Sequence, residues 1–325
     1  MKRFAYLDAA TFEAASRALK QGSGKRLPKA AGTDLLDLMK ERVLEPEALV
    51  NLLGAKDESK ADHGRIFSAL DTLDELARSK ALAKDYPALH QAAKEAATPQ
   101  IRNRGTVGGN LAQNTRCTYV RNAGFPCLKL EGSECAARRE GSFTRFHTIF
   151  PQNGCVSAHS SNLAPALIAL GAKVSIVGGK KPRWIEVEDL YAAPRRGELS
   201  DTILAPGELI SRVELPTPSA LTRRSAYSEL RERQSFDFAL VSLSVALDLQ
   251  GGKIKSARIC LSAVSPTPLR AIGAERVLTG KAPSEALFAA AAEAALKGAK
   301  PLADNGHKLT ILSRLLRRTL KELCS

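Results

Sequence analysis

The residues best suited to chemistry in this sequence are cysteines. Four of the six cysteines stand close together along the chain, separated by ten, eight and twenty positions: Cys117, Cys127, Cys135 and Cys155. Thiolates bind both zinc and iron–sulfur clusters. Compact zinc sites usually contain C-x2–4-C pairs, which are absent here, so four isolated thiolates suit an iron–sulfur cluster as well as zinc. Unligated buried thiols are the third interpretation.

The other candidate ligands near these cysteines are His147 and His159. A lone histidine is more often structural than ligating, so we expect neither to bind metal. Cys260 and Cys324 lie far from the group and are expected to be ordinary thiols. The cysteines are surrounded in the sequence by basic residues: Arg102, Arg104, Arg116, Arg121, Lys129, Arg138, Arg139 and Arg145.

Two short glycine segments, Ala30–Asp34 and Thr106–Asn110, are the second chemical feature. Consecutive backbone N–H groups in such turns can converge on phosphate oxygens, and glycine allows a ligand to approach the main chain. Ordinary tight turns are the alternative, because neither segment matches the dinucleotide or Walker pattern. No nucleophile elbow or carboxylate pair is evident. A bound cofactor is therefore expected to carry the chemistry.

The elements that position these segments follow from apolar periodicity. Strands near 3–7, 26–31 and 48–53, with a helix over 11–20, form a β-α-β unit. A polar loop follows at 55–65, and then a strand near 65–70. Thr72 and Glu75 form a capping box that begins a helix reaching about residue 83. A second helix is predicted over 86–97, where Thr98-Pro99 ends it.

After the cysteine segment we predict a helix over 161–170 and strands at 172–177, 184–187 and 209–215. Pro216-Thr217-Pro218 is a plausible domain boundary. Strands at 226–231, 239–249 and 254–264 follow, with Gly251-Gly252 as a hairpin turn. Helices over 283–297 and 308–323 close the chain, which gives an α+β C-terminal domain.

The composition constrains the partners. A net charge of +14 suggests nucleic acid, but the basic residues are spread along the chain and aromatic residues make up only 5%. An acidic partner subunit is the preferred explanation. No apolar run is long enough for a membrane helix, and the first residues lack a secretion signal. We therefore expect a cytoplasmic protein with no disulfide framework, which reaches the periplasm only if a partner carries it.

Four stretches resemble the FAD-binding subunit of the molybdenum hydroxylases, the family of xanthine dehydrogenase and carbon monoxide dehydrogenase. In chain order they read AAGTDL at 30–35, QIRNRGTVGGN at 100–110, SNLAPAL at 161–167 and RERQSFD at 231–237. The second is the most specific. The four-cysteine loop is similar to that of the subgroup carrying a [4Fe–4S] cluster, namely periplasmic aldehyde oxidoreductases and 4-hydroxybenzoyl-CoA reductases. The length favours the aldehyde oxidoreductase type.

The resemblance implies an α+β fold with three parts. Two small α/β subdomains, 1–55 and 56–216, would form an FAD-binding domain of the vanillyl-alcohol-oxidase-like type, with the iron–sulfur loop inserted at 114–156. An α+β domain at 217–325, with antiparallel sheet and helices, would cover the flavin. Electrons would arrive from a [2Fe–2S] small subunit, fed by a molybdopterin-binding large subunit, and leave to an external acceptor.

The resemblance also implies the site. Its FAD-binding residues would be Leu27, Pro28, Lys29, Ala30, Ala31, Gly32, Thr33, Asp34, Leu35, Arg102, Thr106, Gly108, Gly109, Asn110, Ser161 and Asn162. The four cysteines would hold the [4Fe–4S] cluster. Three positions depart from the family pattern. Ala31 replaces a glycine and resists positive φ, Asn162 replaces an aspartate, and Glu229 stands where a lysine is common.

Three functions compete at this point. The leading one is an electron-transfer flavoprotein subunit, of the aldehyde oxidoreductase or xanthine dehydrogenase type or of the 4-hydroxybenzoyl-CoA reductase type. A self-sufficient flavin oxidase is the second, although no acid–base set is visible for it. A nucleic-acid-binding protein with a structural metal is the third, and only charge and cysteines support it.

Overall fold

The computed structural model describes residues 1–55, 65–234 and 236–325. Most of the loop predicted at 55–65 therefore lies outside the described residues, as does Ser235 of the fourth motif.

The first 55 residues form a small parallel sheet with two helices. The elements are β1 (Ala5–Asp8), α1 (Phe12–Lys20), β2 (Arg26–Lys29), α2 (Leu35–Lys40) and β3 (Ala48–Asn51), and the strand order is β1-β3-β2. Thr11 caps α1 by accepting from the Ala14 amide. The first glycine segment joins β2 to α2, so it lies at the carboxyl end of a parallel strand, where such sheets usually bind ligands.

The next region packs helices against an antiparallel sheet. Its elements are β4 (Ile66–Ser68), α3 (Leu73–Arg78), α4 (Lys80–Asp85), α5 (Pro87–Glu95), α6 (Pro99–Arg102), α7 (Val107–Leu111), α8 (Leu163–Leu170), β5 (Lys173–Val177), β6 (Arg183–Glu186) and β7 (Leu209–Glu214). The strand order is β4-β7-β5-β6. Its helices share one apolar core with α1 and β3.

Two predictions for this region were wrong. The helix predicted from Thr72 to about residue 83 is two helices, because Ser79 is extended and its side chain caps α4 by accepting from the Leu82 amide. The helix predicted over 86–97 ends at Glu95, and Thr98-Pro99 instead begins the next helix: Thr98 accepts from the Ile101 amide, and proline occupies the first helical position of α6.

The last hundred residues form a four-stranded antiparallel sheet covered by helices. The elements are α9 (Ala220–Arg223), β8 (Ser225–Leu230), β9 (Val241–Gln250), β10 (Lys253–Ser262), β11 (Leu269–Arg270), α10 (Ile272–Leu278), α11 (Glu285–Leu296) and α12 (His307–Cys324), with strand order β11-β10-β9-β8. Gly251 and Gly252 both have positive φ in the β9–β10 turn, as predicted. The short elements α9, β11 and α10 were not predicted.

Residues 112–160 run as irregular chain between α7 and α8, with short 3-10 turns at Leu128–Leu130 and Ala136–Arg138. This segment has its own small apolar cluster: Tyr119, Ala136, Ala137 and Val156. The predicted α+β class is confirmed, while the domain boundaries remain a prediction. In the described part of the chain, no helix combines the length and apolar character needed to cross a membrane.

Candidate functional site: two glycine segments and a cysteine pocket

The first glycine segment is an open turn. Gly32 has a φ of +81°, and its carbonyl accepts from the Leu36 amide at 3.0 Å. The backbone amides of Ala31, Gly32 and Thr33 donate no hydrogen bond to any described residue. Ala31 does not adopt positive φ, because only Gly32 needs the left-handed conformation in this turn. Free backbone N–H groups at this edge of the sheet fit an anionic pyrophosphate.

The second glycine segment is helical, which corrects the predicted turn. Thr106 caps α7, and its side chain accepts from the Gly109 amide at 3.2 Å. The Gly108 amide donates to the Ala69 carbonyl at 2.7 Å, and the Asn110 amide donates to the Thr106 carbonyl at 2.8 Å. These amides are therefore already engaged within the protein, so they do not form a free phosphate-binding nest.

Gly108 and Gly109 of α7 differ in how much room their surroundings leave for a side chain. A Cβ at Gly108 would lie 2.9 Å from the Ala69 Cβ and 3.1 Å from its carbonyl oxygen, so tight packing excludes a side chain there. A Cβ at Gly109 would meet only the Thr106 hydroxyl, at 3.0 Å. Close approach of another chain segment therefore accounts for Gly108, whereas Gly109 borders more open space.

The SNLAPAL motif at 161–167 is hydrogen-bonded directly to the second glycine segment. The Asn110 Oδ1 atom accepts from the Ser161 hydroxyl at 2.6 Å and from the Leu163 amide at 3.2 Å. Ser161 in turn accepts from the Ala164 amide at 3.0 Å, which begins α8. These bonds bring the end of α7 and the start of α8 together.

Asn162 and Glu229, two of the residues that depart from the family pattern, are hydrogen-bonded to each other. Asn162 Nδ2 donates to the Tyr227 hydroxyl at 3.0 Å and to Glu229 Oε2 at 3.1 Å, while the Tyr227 hydroxyl donates to the same carboxylate at 2.6 Å. Arg231 pairs with Glu229 at 2.9 Å. Burial raises the pKa of Glu229. An aspartate at 162 would face this buried carboxylate, so the neutral amide suits a glutamate at 229.

Asp34 joins the first turn to the cysteine segment. Its Oδ1 atom pairs with Arg121 at 2.6 Å and with Arg116 at 3.2 Å, and its Oδ2 atom accepts from the Asn114 amide at 2.9 Å. Both arginines also pair with Asp37. The Asp34 carboxylate is therefore occupied by protein donors, and its role is to position the turn against the chain that follows α7.

The remaining predicted cofactor residues lie nearby or in supporting positions. Leu27, Pro28 and Lys29 belong to β2 and pair in register with β3. The Lys29 ammonium donates to the Tyr6 hydroxyl at 3.0 Å. Ala30 precedes the open turn and Leu35 begins α2. Arg102 donates to the Ala96 carbonyl at 3.0 Å, beyond the end of α5, so its visible contacts are structural.

The cysteine pocket encloses four free thiols. Burial raises the pKa of Cys117 to about 12 and also raises the pKa values of Cys127 and Cys135. The charge of Cys155 adds to the rise at each of these three, so Cys155 lies within electrostatic reach of the other cysteines of the segment. Among the described residues, no three His, Cys, Asp or Glu side chains form a group that could hold a metal ion.

Nearby backbone N–H groups oppose the rise in pKa at three of these cysteines. They come from Tyr119 and Val120 for Cys117, from Lys129 and Leu130 for Cys127, and from Ala137 and Val156 for Cys135. Five of the six amides lie two or three positions after their cysteine. The side chains of Cys127 and Cys135 do not cap the short 3-10 turns that follow them.

One of the two histidines expected to be structural contacts a cysteine of the segment directly. His147 Nε2 lies 3.3 Å from Cys117 Sγ. His159 packs edge-on against Tyr191, with ring centroids 4.9 Å apart, and makes no such contact among the described residues. The contact joins residues thirty positions apart, and the sequence alone carried no signal for it.

Comparison with known proteins assigns the family. Residues 2–218 match the family described as the FAD binding domain in molybdopterin dehydrogenase, and residues 225–323 match the CO dehydrogenase flavoprotein C-terminal domain. The chain belongs to this family of FAD-binding medium subunits. It is 36% identical over 312 residues to the aldehyde oxidoreductase FAD-binding subunit PaoB of Escherichia coli (strain K12), covering 92% of this chain and 93% of PaoB.

Other members of the family are more distant. The chain is 29% identical to the carbon monoxide dehydrogenase medium chain of Afipia carboxidovorans, over 78% of this chain and 72% of that one. A chain of quinoline 2-oxidoreductase from Pseudomonas putida 86 superposes with a TM-score of 0.74 at 26% identity, covering 100% and 98% of the two chains. The prediction of a molybdenum hydroxylase flavoprotein subunit is confirmed, and FAD binding is supported by the family assignment.

Proposed function

We propose that this chain is the FAD-binding electron-transfer subunit of a heteromeric molybdenum hydroxylase of the aldehyde oxidoreductase type. FAD would receive electrons from the [2Fe–2S] clusters of a small subunit, fed by a molybdopterin-binding large subunit, and would pass them to an external acceptor. The observation that carries the proposal is similarity to an aldehyde oxidoreductase FAD-binding subunit along nearly the whole chain. The net charge of +14 suits docking on acidic partners.

The isolated chain tests this assignment. Purified with FAD, it should accept electrons from a chemical reductant and pass them to a dye, yet oxidise no aldehyde or purine. Coexpression with its two partner subunits should restore substrate oxidation. Oxidation of an aldehyde by the single chain would instead favour a self-sufficient flavin oxidase.

Within this function, the open turn at Ala31–Thr33 is the proposed site of the FAD pyrophosphate. Its support is the set of amides that donate no hydrogen bond to any described residue. Thr33 is exposed, so its side chain can be changed without disturbing the core. Thr33→Asp adds a negative charge beside the phosphates, and Thr33→Asn is a control of equal size. The aspartate should weaken FAD affinity at least about tenfold, because one unfavourable charge contact costs about 1.4 kcal/mol or more. Equal affinities would place the pyrophosphate elsewhere.

The four cysteines are the proposed ligands of one [4Fe–4S] cluster, a centre that transfers single electrons. The support is the chemistry of the donor set: four free thiols in one irregular segment, three of which have a pKa raised in part by the charge of Cys155, although the described side chains do not form a site for a single metal ion. Hydrogen bonds to sulfur help to set the potential of such clusters. Gly132 contributes to the shape of the pocket, since a Cβ there would lie 2.6 Å from the Cys127 amide nitrogen.

Metal analysis tests the cluster. Protein purified without air should contain about four iron and four sulfide per chain. Cys135→Ser should lower both while FAD remains, and Cys260→Ser, a buried thiol in β10, is the matched control that should lower neither. Stoichiometric zinc without sulfide would show that the thiolates form a zinc site.

A further inference from the structure

His147 lies against one of the proposed cluster ligands, with its Nε2 atom 3.3 Å from Cys117 Sγ. The inference drawn from this contact rests on the proposed cluster. His147 is buried, and its ring is tilted by 43° against Tyr119 with centroids 5.5 Å apart. The imidazole is therefore confined between the sulfur and an aromatic ring.

The backbone that carries His147 is fixed from the C-terminal domain. Asn305 Nδ2 donates to the His147 and Thr148 carbonyls, each at 3.0 Å. The Lys308 ammonium donates to the Phe146 carbonyl at 3.2 Å. Both donors lie at or just before the start of α12, so the histidine is held by a packed helix although it belongs to irregular chain.

The protonation state of a ligating cysteine determines which atom donates the hydrogen bond in this contact. A sulfur that ligates iron has lost its proton and can only accept a hydrogen bond. The contact is therefore a hydrogen bond only when Nε2 carries a proton. The other ring nitrogen, Nδ1, is buried and completes no hydrogen bond of normal geometry within the described residues, although the Thr144 backbone interacts with the ring. A Cys117 thiolate therefore favours the tautomer with the proton on Nε2.

We propose that His147 is a positioning residue for the cluster, donating a hydrogen bond from Nε2–H to the Cys117 thiolate and thereby raising the cluster's reduction potential. Reduction adds negative charge that spreads onto the ligating sulfurs, so a donor at sulfur stabilises the reduced state more than the oxidised one. His147 is a side-chain donor, which substitution can remove without altering the main chain.

The test compares three variants of the whole chain, purified without air. His147→Leu removes the donor at similar volume. His147→Gln keeps an N–H at the position of Nε2. His159→Leu removes a second buried histidine that makes no contact with a cysteine. Iron, sulfide and FAD are counted in each, and the midpoint potential of the cluster is measured by redox titration followed by electron paramagnetic resonance.

The proposal expects a lower midpoint potential in His147→Leu, a potential near the wild-type value in His147→Gln, and no shift in His159→Leu. Loss of iron in His147→Leu alone would also support it, since the donor would then be needed to retain the cluster. An unchanged potential in His147→Leu with full iron would overturn it, as would equal loss of iron in both His147 variants. Wild-type protein without iron and sulfide would instead refute the cluster itself.

Discussion

Lys308 is a buried lysine with no carboxylate partner among the described residues, and this has a measurable consequence. The residue has no exposed surface, and its ammonium donates to the carbonyls of Phe146 and Ala263 at 3.2 and 3.0 Å. No acidic side chain in the described ranges lies within ion-pair distance of it. Burial lowers the pKa of Lys308 from 10.5 to about 7. Since one pH unit corresponds to about 1.4 kcal/mol, the buried charge destabilises the folded state by about 5 kcal/mol at low pH.

The sign of the pH dependence follows from where the proton is bound. Between about pH 7 and pH 10.5 the unfolded lysine is protonated and the folded one is largely neutral. The unfolded state therefore binds more protons, and stability rises with pH across this window. Relative to Lys308→Met, the free energy of unfolding of the wild type should increase by about 2 kcal/mol from pH 7 to pH 9.

The assay is urea unfolding of the intact chain at pH 7, 8 and 9, followed by circular dichroism. Lys297→Met, which removes an exposed lysine, is the control and should show no change relative to the wild type over this range. A constant difference between the wild type and Lys308→Met would refute the reasoning. It would mean that the ammonium of Lys308 keeps its charge through pH 9, stabilised by the two carbonyls.

Three further predictions concern the FAD region. Gly108→Ala should lower the free energy of unfolding by about 1–3 kcal/mol because its Cβ meets Ala69, whereas Gly109→Ala should change it by less than about 1 kcal/mol; equal urea midpoints would contradict this. Asn162→Asp should lower the melting temperature at pH 7 and less so at pH 5, where one of the two facing carboxyls can hold a proton; an identical loss at both pH values would contradict it. Arg121→Ala should weaken both stability and FAD retention by loosening Asp34, whereas Arg139→Ala, at an exposed ion pair, should change neither measurably; similar effects of the two would count against the link.

The sequence predicted the regular elements better than the contacts between them. Apolar periodicity located α1 and the β9–β10 hairpin, and the Thr72–Glu75 capping box forms both of its hydrogen bonds. The helical form of the second glycine segment was not predictable, because two adjacent glycines disfavour a helix and a tertiary bond to Ala69 supports it.

The contacts at the site that the sequence did not predict join residues far apart in the chain. Asn162 and Glu229 each appeared as a separate departure from the family pattern, yet they are hydrogen-bonded to each other. His147 contacts Cys117 from a stretch of backbone that Asn305, just before α12, holds by hydrogen bonds. Local pattern carries information about helices and strands, whereas these contacts depend on how distant segments pack.

The central claim is that one chain holds both FAD and a [4Fe–4S] cluster. A reductive titration of the anaerobically purified chain, followed by visible absorbance, tests it most directly. FAD takes up two electrons and one cluster takes up one, so the account predicts about three electron equivalents per chain. Uptake of about two equivalents, with flavin bleaching alone, would contradict the cluster, and uptake of none would contradict both cofactors.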